Sequence, residues 1–361
     1  MKSALFIAAM LAQPIAIAEK FDIPIDGSTV VGELRVITPD AENTLLDIAR
    51  RFDLGHHEIV LANPTLDIWA PKPGSRVTIP TQFILPPKPW KGIIVNISQR
   101  RLFYFPPTKK GKVAQVITLP LSIAREGWST PLGKTKIVAK HKDPGWFVPK
   151  SIQQEKLEEG EIDFPEYFPP GPDNPMGMLA IQTGFKSIFI HGTNRPWGVG
   201  MRTSHGCLHL YPEDAETLFP LISAGVPLRV IDQPFVVGVE AGQLVMTSYD
   251  PVTEYDATSN HFTRAVLALA PWLDSQTKIY DSAYDVDWGT VQNLVETRTV
   301  TPYFIAPFSI SVDQLLADMP VEPYNFPPYG DDANNAAPPS AEAIEAELNA
   351  SDVKYQPPGT Q

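Results

Sequence analysis

The chain has 361 residues, 38 of them proline, and sets 29 lysines and arginines against 41 aspartates and glutamates for a net charge of −12. That balance argues against nucleic acid and anionic membrane surfaces as partners, and the proline content argues against a mainly helical protein. The length suits two or three domains.

The start, MKSALFIAAMLAQPIAIAEK, joins a charged Lys2, an apolar run over residues 4–12 and small residues at Ala16 and Ala18. This is the pattern of a secretory signal peptide over residues 1–18. No later apolar run approaches the roughly 20 residues that cross a bilayer as a helix, so an exported protein with no transmembrane anchor is expected. Residues 33–85 then read as a compact β-α-α-β unit. ELRVITPD is a strand. In NTLLDIARRFDL, Leu45, Ile48, Ala49 and Phe52 share one helical face behind a capping Asn43-Thr44. HHEIVLANP gives a second short helix stopped by Pro64, with His56 and His57 expected on a solvated face, and SRVTIPTQF closes the unit as a strand. LPPKP, residues 85–89, reads as a stiff linker.

Beyond it the pattern turns to strands: GIIVNISQRRLFYFP, VAQVITLPLSI and STPLGKTKIVAKH. Residues 143–178 are rich in Pro, Gly, charge and aromatics, with one short helix expected at 151–158, and read as a lid or cleft wall. SIFIHGTN is a strand entering a turn. YPEDAETLFPLISAG is a helix with Ala215, Leu218, Leu221 and Ile222 on its apolar face and a stop at Gly225; VPLRVID is a last strand. Residues 235–325 suit a small accessory subdomain with a helix at HFTRAVLALAPWL, and residues 326–361 an acidic, proline-rich disordered tail. The expected fold class is mainly β with short helices (α+β).

Cys207 is the only cysteine. In an exported chain a single thiol is an intermolecular partner or a reactive group, since an idle exposed thiol is open to oxidation; a buried, inert cysteine is the plainer alternative. A neighbouring histidine or a helix N-terminus turns a cysteine into a nucleophile. His191 ends an apolar strand sixteen residues earlier and a helix follows from Pro212, so both are within the chain's reach. Gly206 permits close approach of backbone to substrate, and the N–H groups of Gly206 and Cys207 are placed to meet an oxyanion. The alternating spacing His205, Cys207, His209 also allows a zinc site with His191 as fourth ligand, although no second cysteine or local carboxylate supports it.

The string IHGTNRPWGVGMRTSHGCLHLYPEDAETLF, with STPLGKTKI and NPMG before it, closely resembles the signature of L,D-transpeptidases with a YkuD-type catalytic domain, over residues 91–232. The unit at 33–85 resembles a LysM module, which implies binding to N-acetylglucosamine-containing glycan strands, or a LysM-like fold used only as a spacer. The family resemblance implies a β-sandwich-like catalytic domain and acyl transfer on peptidoglycan stem peptides in the periplasm, with neither metal nor cofactor. It implies Cys207 as nucleophile, His191 as base and the Gly192 carbonyl as the group that orients it. Ser204, His205 and Gly206 shape the turn and oxyanion hole. Arg202, Thr193, His209, Trp146, Met176 and Gly177 are the expected substrate contacts. For Ser204 and His205 a purely turn-holding role is an equal alternative, and for Arg202 a structural ion pair.

One residue departs from the family pattern: His209 stands where an arginine is usual, losing a permanent charge and a bidentate fork. The implied acceptor is the amine of a second diaminopimelate, an amine of an envelope protein, or water. A wall-binding scaffold with a degenerate catalytic domain is the rival reading.

Overall fold

A computed structural model describes residues 20–39, 43–255, 260–274, 285–324 and 326. The expected signal peptide, and the expected disordered tail beyond Phe326, lie outside the described residues. The protein is mainly β with short helices, as its alternating apolar runs and many prolines require.

The β-α-α-β unit forms as its periodicity dictates. Helix α1 (Leu45–Arg51) starts at Thr44, whose hydroxyl accepts from the Asp47 N–H at 3.0 Å. Helix α2 (His56–Ala62) follows after Gly55, and strands Arg35–Thr38 and Val77–Ile79 pair antiparallel beside them. A third strand arrives from far away: Val321–Pro323 runs parallel to Arg35–Thr38.

The main sheet has nine strands in the order Lys20–Asp22, Gln115–Pro120, Arg101–Phe105, Gly92–Asn96, Pro227–Ile231, Gly133–Lys142, Leu179–Thr183, Phe189–His191 and Leu208–His209. Two neighbouring pairs are parallel, Gly92–Asn96 with Pro227–Ile231 and Phe189–His191 with Leu208–His209. Ile93, Val95, Leu102 and Leu119 from one part of the sheet share a core with Ile181, Ile190 and Leu208 from the other. The sheet therefore curls over one interior, which gives the sandwich-like form. The segment at 143–178 carries a small hairpin, Trp146–Phe147 with Tyr167–Phe168, and helix α3 (Lys150–Glu158). Helix α4 (Pro212–Leu221) closes the shared core with Ala215 and Leu218. Leu221, expected on its apolar face, is exposed, because the helix ends there and Ile222 turns to extended backbone.

The strands at 92–96 and 101–105 are buried along their whole length. Their alternate residues Ile94, Phe103 and Phe105 pack on the opposite face against Ile48, Leu54 and Ile59 of the βααβ unit. A continuous apolar run is the mark of a strand covered on both sides, and here the N-terminal unit is the second cover. LPPKP is accordingly no free spacer: Leu85 and Pro86 are buried, and Trp90 stacks on Phe105 at 5.9 Å.

The α1–α2 turn is wedged into the larger sheet's domain. Arg101, fully buried, forks onto the Glu58 carboxylate at 2.6 and 2.7 Å and donates to the Asp53 carbonyl at 2.7 Å. Arg50 forks onto Glu213 of α4 at 2.7 and 2.9 Å, and the Tyr211 hydroxyl donates to the Leu54 carbonyl at 2.9 Å. A Cβ on Gly55 would stand 2.7 Å from the Gly200 Cα, so the two backbones touch. His56 and His57 correct the expectation of a solvated face: His57 is buried and His56 half-buried. Burial, with the Arg100 guanidinium beside them, holds His56 down to about 4 and His57 well below its ordinary value.

At the same junction Asp214 is fully buried, and among the described residues neither of its carboxyl oxygens meets a hydrogen-bond donor. Burial, then the Asp53 and Glu213 carboxylates, push its pKa well above 3.8, against the pull of Arg101 and Arg50. A folded pKa above the unfolded one makes this group's contribution complete below about pH 4 and progressively lost as pH rises toward the folded value. Asp214→Asn should therefore raise stability at pH 8 by about 1–2 kcal/mol and narrow the gain toward pH 4. Urea midpoints of the two proteins at both pH values check it; an Asn variant weaker at pH 8 would show the charge to be needed.

Residues 235–324 build a second layer. Strands Phe235–Glu240, Gln243–Ser248 and Thr299–Phe304 pack on helices α5 (His261–Asp274) and α6 (Trp288–Thr297). Their other face, through Val236, Val245 and Tyr249, meets Val30 and Ile84 of the N-terminal part. Helix α7 (Val312–Asp318) then leads to the strand beside Arg35–Thr38, and Arg76 donates to the Leu316 carbonyl at 2.6 Å. Phe326 lies beyond it, 5.2 Å from the Tyr324 ring and under the Arg51 guanidinium. Among the described residues no helix is long and apolar enough to cross a membrane.

Candidate active site

The parallel pairing at the end of the main sheet assembles the site. Register sets His191 beside His209 and Ile190 beside Leu208. Side chains alternate along a strand. Ile190 and Leu208 therefore enter the core, while His191 and His209 lie on the other face, and Cys207 directly precedes this strand. The His191 and His209 rings stand 4.5 Å apart at 46°.

The proton positions on His191 follow from its partner. Its Nδ1 is 2.6 Å from the Gly192 carbonyl, which can only accept, so Nδ1 carries the hydrogen and Nε2 presents a lone pair. Burial holds this imidazole down to about 4, although the Gly192 and Met176 carbonyls pull the other way. It is a neutral base at any physiological pH. This is the Gly192 carbonyl that was expected to orient the ring.

Cys207 is half-buried; its thiol donates to the Ser187 carbonyl at 3.6 Å. Burial pushes it up to about 11, against a lowering contribution from the Phe189 N–H. At rest the site thus holds a neutral thiol beside neutral imidazoles, rather than a preformed thiolate–imidazolium pair. Alkylation of Cys207 by iodoacetamide should accordingly rise about tenfold per pH unit from 7 to 9 with no plateau near 6, because each unit multiplies the thiolate fraction by ten below the pKa. A rate that levels off below pH 7 would show a thiolate stabilised by histidine.

The SHGC turn is held by its own serine. The Ser204 hydroxyl donates to the Cys207 carbonyl at 2.5 Å and accepts from the Gly206 N–H at 3.1 Å. Gly206 adopts φ +114, and a Cβ there would lie 3.1 Å from the Ser129 carbonyl and from Ile188, so only glycine fits. The expected pair of oxyanion donors is reduced by this arrangement. Gly206 spends its N–H on Ser204, whereas among the described residues no acceptor takes the N–H of Cys207.

His205 faces helix α3 of the 143–178 segment. Its Nε2 donates to Glu155 of α3 at 2.6 Å, its ring meets Trp128 edge-on at 4.8 Å, and the same Glu155 is ion-paired with Arg125. Burial, then Arg125 and Lys156, hold the ring down to about 3, so it donates as a neutral imidazole; the Glu155 carboxylate, shared with Arg125, does not reverse this. His209 is likewise held well below its ordinary value, first by burial and then by His191 and His205. It supplies no cation where the family has arginine. Nor are His191, His205, Cys207 and His209 gathered as zinc ligands: among the described residues no three His, Cys, Asp or Glu side chains are grouped to hold a metal.

Arg202 is tied to structure. Its Nη2 meets both Glu254 oxygens at 2.5 and 2.6 Å, and its Nε the Ala124 carbonyl at 3.2 Å. Trp146 stacks on Phe168 inside the 143–178 hairpin. Met176 and Gly177 lie against His191 and Gly192: the Met176 carbonyl acts on His191, and a Cβ on Gly177 would come within 3.0 Å of the Gly192 carbonyl carbon. Gly177 and Thr193 line a cavity of about 210 Å³ with Glu213 and Glu216, and Cys207 is not among its walls. Sequence reading missed Glu155, Arg125, Thr130, Glu254 and Tyr255, which surround the SHGC turn. Only Thr130 lay in a motif singled out earlier; nothing in local pattern marks the other four.

A family model described as the L,D-transpeptidase catalytic domain, YkuD, matches residues 91–231. The probable L,D-transpeptidase ErfK/SrfK of Escherichia coli is 32% identical over 303 residues, which cover 83% of this chain and 94% of that protein. The probable L,D-transpeptidase YbiS of the same organism is 37% identical over 246 residues, covering 67% of this chain and 78% of its own. A third from that organism, YcfS, is 30% identical over 316 residues, 86% of this chain and 95% of its own. The likeness thus runs well past residues 91–231.

Proposed function

The chain belongs to the L,D-transpeptidase family and carries its catalytic domain, and from that premise we propose that Cys207 and His191 perform acyl transfer on peptidoglycan stem peptides in the periplasm. The observation that carries the reading is the fixed tautomer of His191, whose Nδ1 is held by the Gly192 carbonyl on the strand paired with the one that directly follows Cys207.

The thiol proton passes to His191 Nε2 as Sγ attacks the carbonyl of meso-diaminopimelate. Negative charge gathers on that carbonyl oxygen, where the Cys207 N–H stands ready. Collapse expels D-alanine, whose amine takes the proton back from the imidazolium, and leaves a thioester on Cys207. An incoming amine then gives its proton to Nε2 and resolves the thioester by the reverse steps. Because the thiol sits near 11 and the base near 4, proton transfer accompanies attack instead of preceding it.

Ser204 and Gly206 hold the nucleophile's turn, the Gly192 carbonyl orients the base, and His205 joins the turn to the lid. Thr193, Met176 and Gly177 back the base, Trp146 belongs to the cleft wall, and Arg202 acts through Glu254. The neutral His209 removes a fixed cation from the acceptor side, which favours an acceptor that brings no carboxylate to this spot, such as an amine of an envelope protein, over a second diaminopimelate. Residues 33–85 act as the glycan-contacting unit, 91–232 as the catalytic domain and 235–325 as its brace. Incubation with disaccharide-tetrapeptide, with D-alanine and intact mass followed, tests the reading. Released D-alanine and an acyl adduct support it; glycan binding with neither leaves a scaffold. Mass analysis with an added amine separates transfer from hydrolysis.

A further inference from the structure

We infer that Glu254 and Tyr255, which lie outside the matched catalytic domain, are positioning residues for acylation: they fix the loop at 127–130 and, through Thr130, aim the Cys207 N–H at the developing oxyanion. The inference rests on Cys207 being the nucleophile.

The two residues sit in one short 3₁₀ turn, Thr253–Tyr255, after the strand that ends at Ser248. Glu254 accepts from the Gly127 N–H at 2.9 Å while holding Arg202 of the neighbouring Arg202–Ser204 strand. The Tyr255 hydroxyl satisfies both backbone groups of Thr130, accepting from its N–H at 2.8 Å and donating to its carbonyl at 2.7 Å. Burial pushes this phenol up to about 12, so it keeps the proton it donates. Thr130 is fully buried, and its hydroxyl donates to the Gly206 carbonyl at 2.7 Å.

That last bond decides the direction of the next N–H. Gly206 C=O and Cys207 N–H belong to one planar trans peptide and point opposite ways. Drawing the carbonyl onto Thr130 turns the N–H away from the loop. Gly206 has no side chain to restrain it and sits at φ +114, a conformation open to rotation in a free chain. Without an outside hold, the peptide plane that carries the donor is the softest part of the turn. The hold comes from Thr130, 76 residues earlier in the chain and itself fixed by Tyr255 125 residues beyond it, and the Gly206 N–H, bonded to Ser204, cannot replace it.

Two reactions at the same sulfur separate this role from a general loosening. Carbapenem acylation builds an oxyanion; alkylation by iodoacetamide displaces iodide from a saturated carbon and builds none. In the full-length protein at pH 8, Tyr255→Phe and Thr130→Val should lower the maximal carbapenem acylation rate about 10- to 100-fold. Alkylation and the half-saturating carbapenem concentration should stay within about twofold, and Glu254→Gln should show a weaker loss in the same direction. Equal loss of both reactions, or unchanged acylation, overturns the inference. Thr130→Val leaves the Tyr255 ring and Glu254 in place, so it gives the same comparison if Tyr255→Phe does not fold. Wild-type protein that is alkylated at Cys207 but never acylated overturns the nucleophile reading itself, a result distinct from a failed variant comparison.

Discussion

Replacement of Cys207 by alanine should eliminate D-alanine release and any acyl adduct, a loss of more than about 10³-fold, with the fold intact. The prediction is large because a thioester route runs through a thiol, and Cys207 is the one cysteine in the chain. His191→Asn should lower the maximal rate about 10²- to 10⁴-fold while substrate affinity changes little, since Nε2 acts on the proton in flight rather than on bound substrate. The base also fixes the acid limb. An imidazole held at about 4 is free to accept a proton at any pH above that value, so acylation should persist to pH 5 and fall only as pH drops through about 4. An acid limb near 6.5 in the acylation rate would mean that His191 is solvated in the working enzyme or is not the base.

The largest effect on stability should come from Glu58→Gln. Arg101 is fully buried, with its fork on Glu58, and stacks 4.0 Å over Phe83. Removing one partner leaves an uncompensated charge in the interior, at a cost of about 3–5 kcal/mol. Replacing both residues, as in Glu58→Leu with Arg101→Met, should recover much of that loss, because two desolvated charges then disappear together. The pair joins α2 to the main sheet, so wild type should unfold in one transition seen alike by far-UV and near-UV dichroism. Two separate transitions in wild type, or a Glu58→Gln variant within about 1 kcal/mol of it, would show that the two units are held by their apolar faces alone.

The proposed nucleophile and base were legible because their neighbours in the chain carry the signature: His191 of HGT and Cys207 of SHGC sit sixteen residues apart, and the SHGC turn demands its glycine, Gly206. Helices α1 and α2 were legible for a similar reason, since a 3.6-residue period and a capping threonine are local properties. His56 and His57 were misplaced by the same locality. Which side of a short helix is wet depends on what packs against it, and here that is Arg100 and its strand. Arg202 likewise read as an open alternative until Glu254, fifty-two residues away, was seen to hold it.

The sequence by itself determined the class of fold, the strands and helices with a clear period, and the residues proposed to carry the chemistry, because each depends on residues close together in the chain. Tertiary structure alone decided that the βααβ unit shares a core with the catalytic sheet, that burial raises the pKa of the thiol and lowers those of His191, His205 and His209, and that a tyrosine far outside the signature bonds the threonine that holds the SHGC turn. Those depend on desolvation and on hydrogen bonds between segments brought together only by folding. No local pattern encodes them, since the same exposed-looking histidine or tyrosine takes its charge and its partner from whatever surface closes over it.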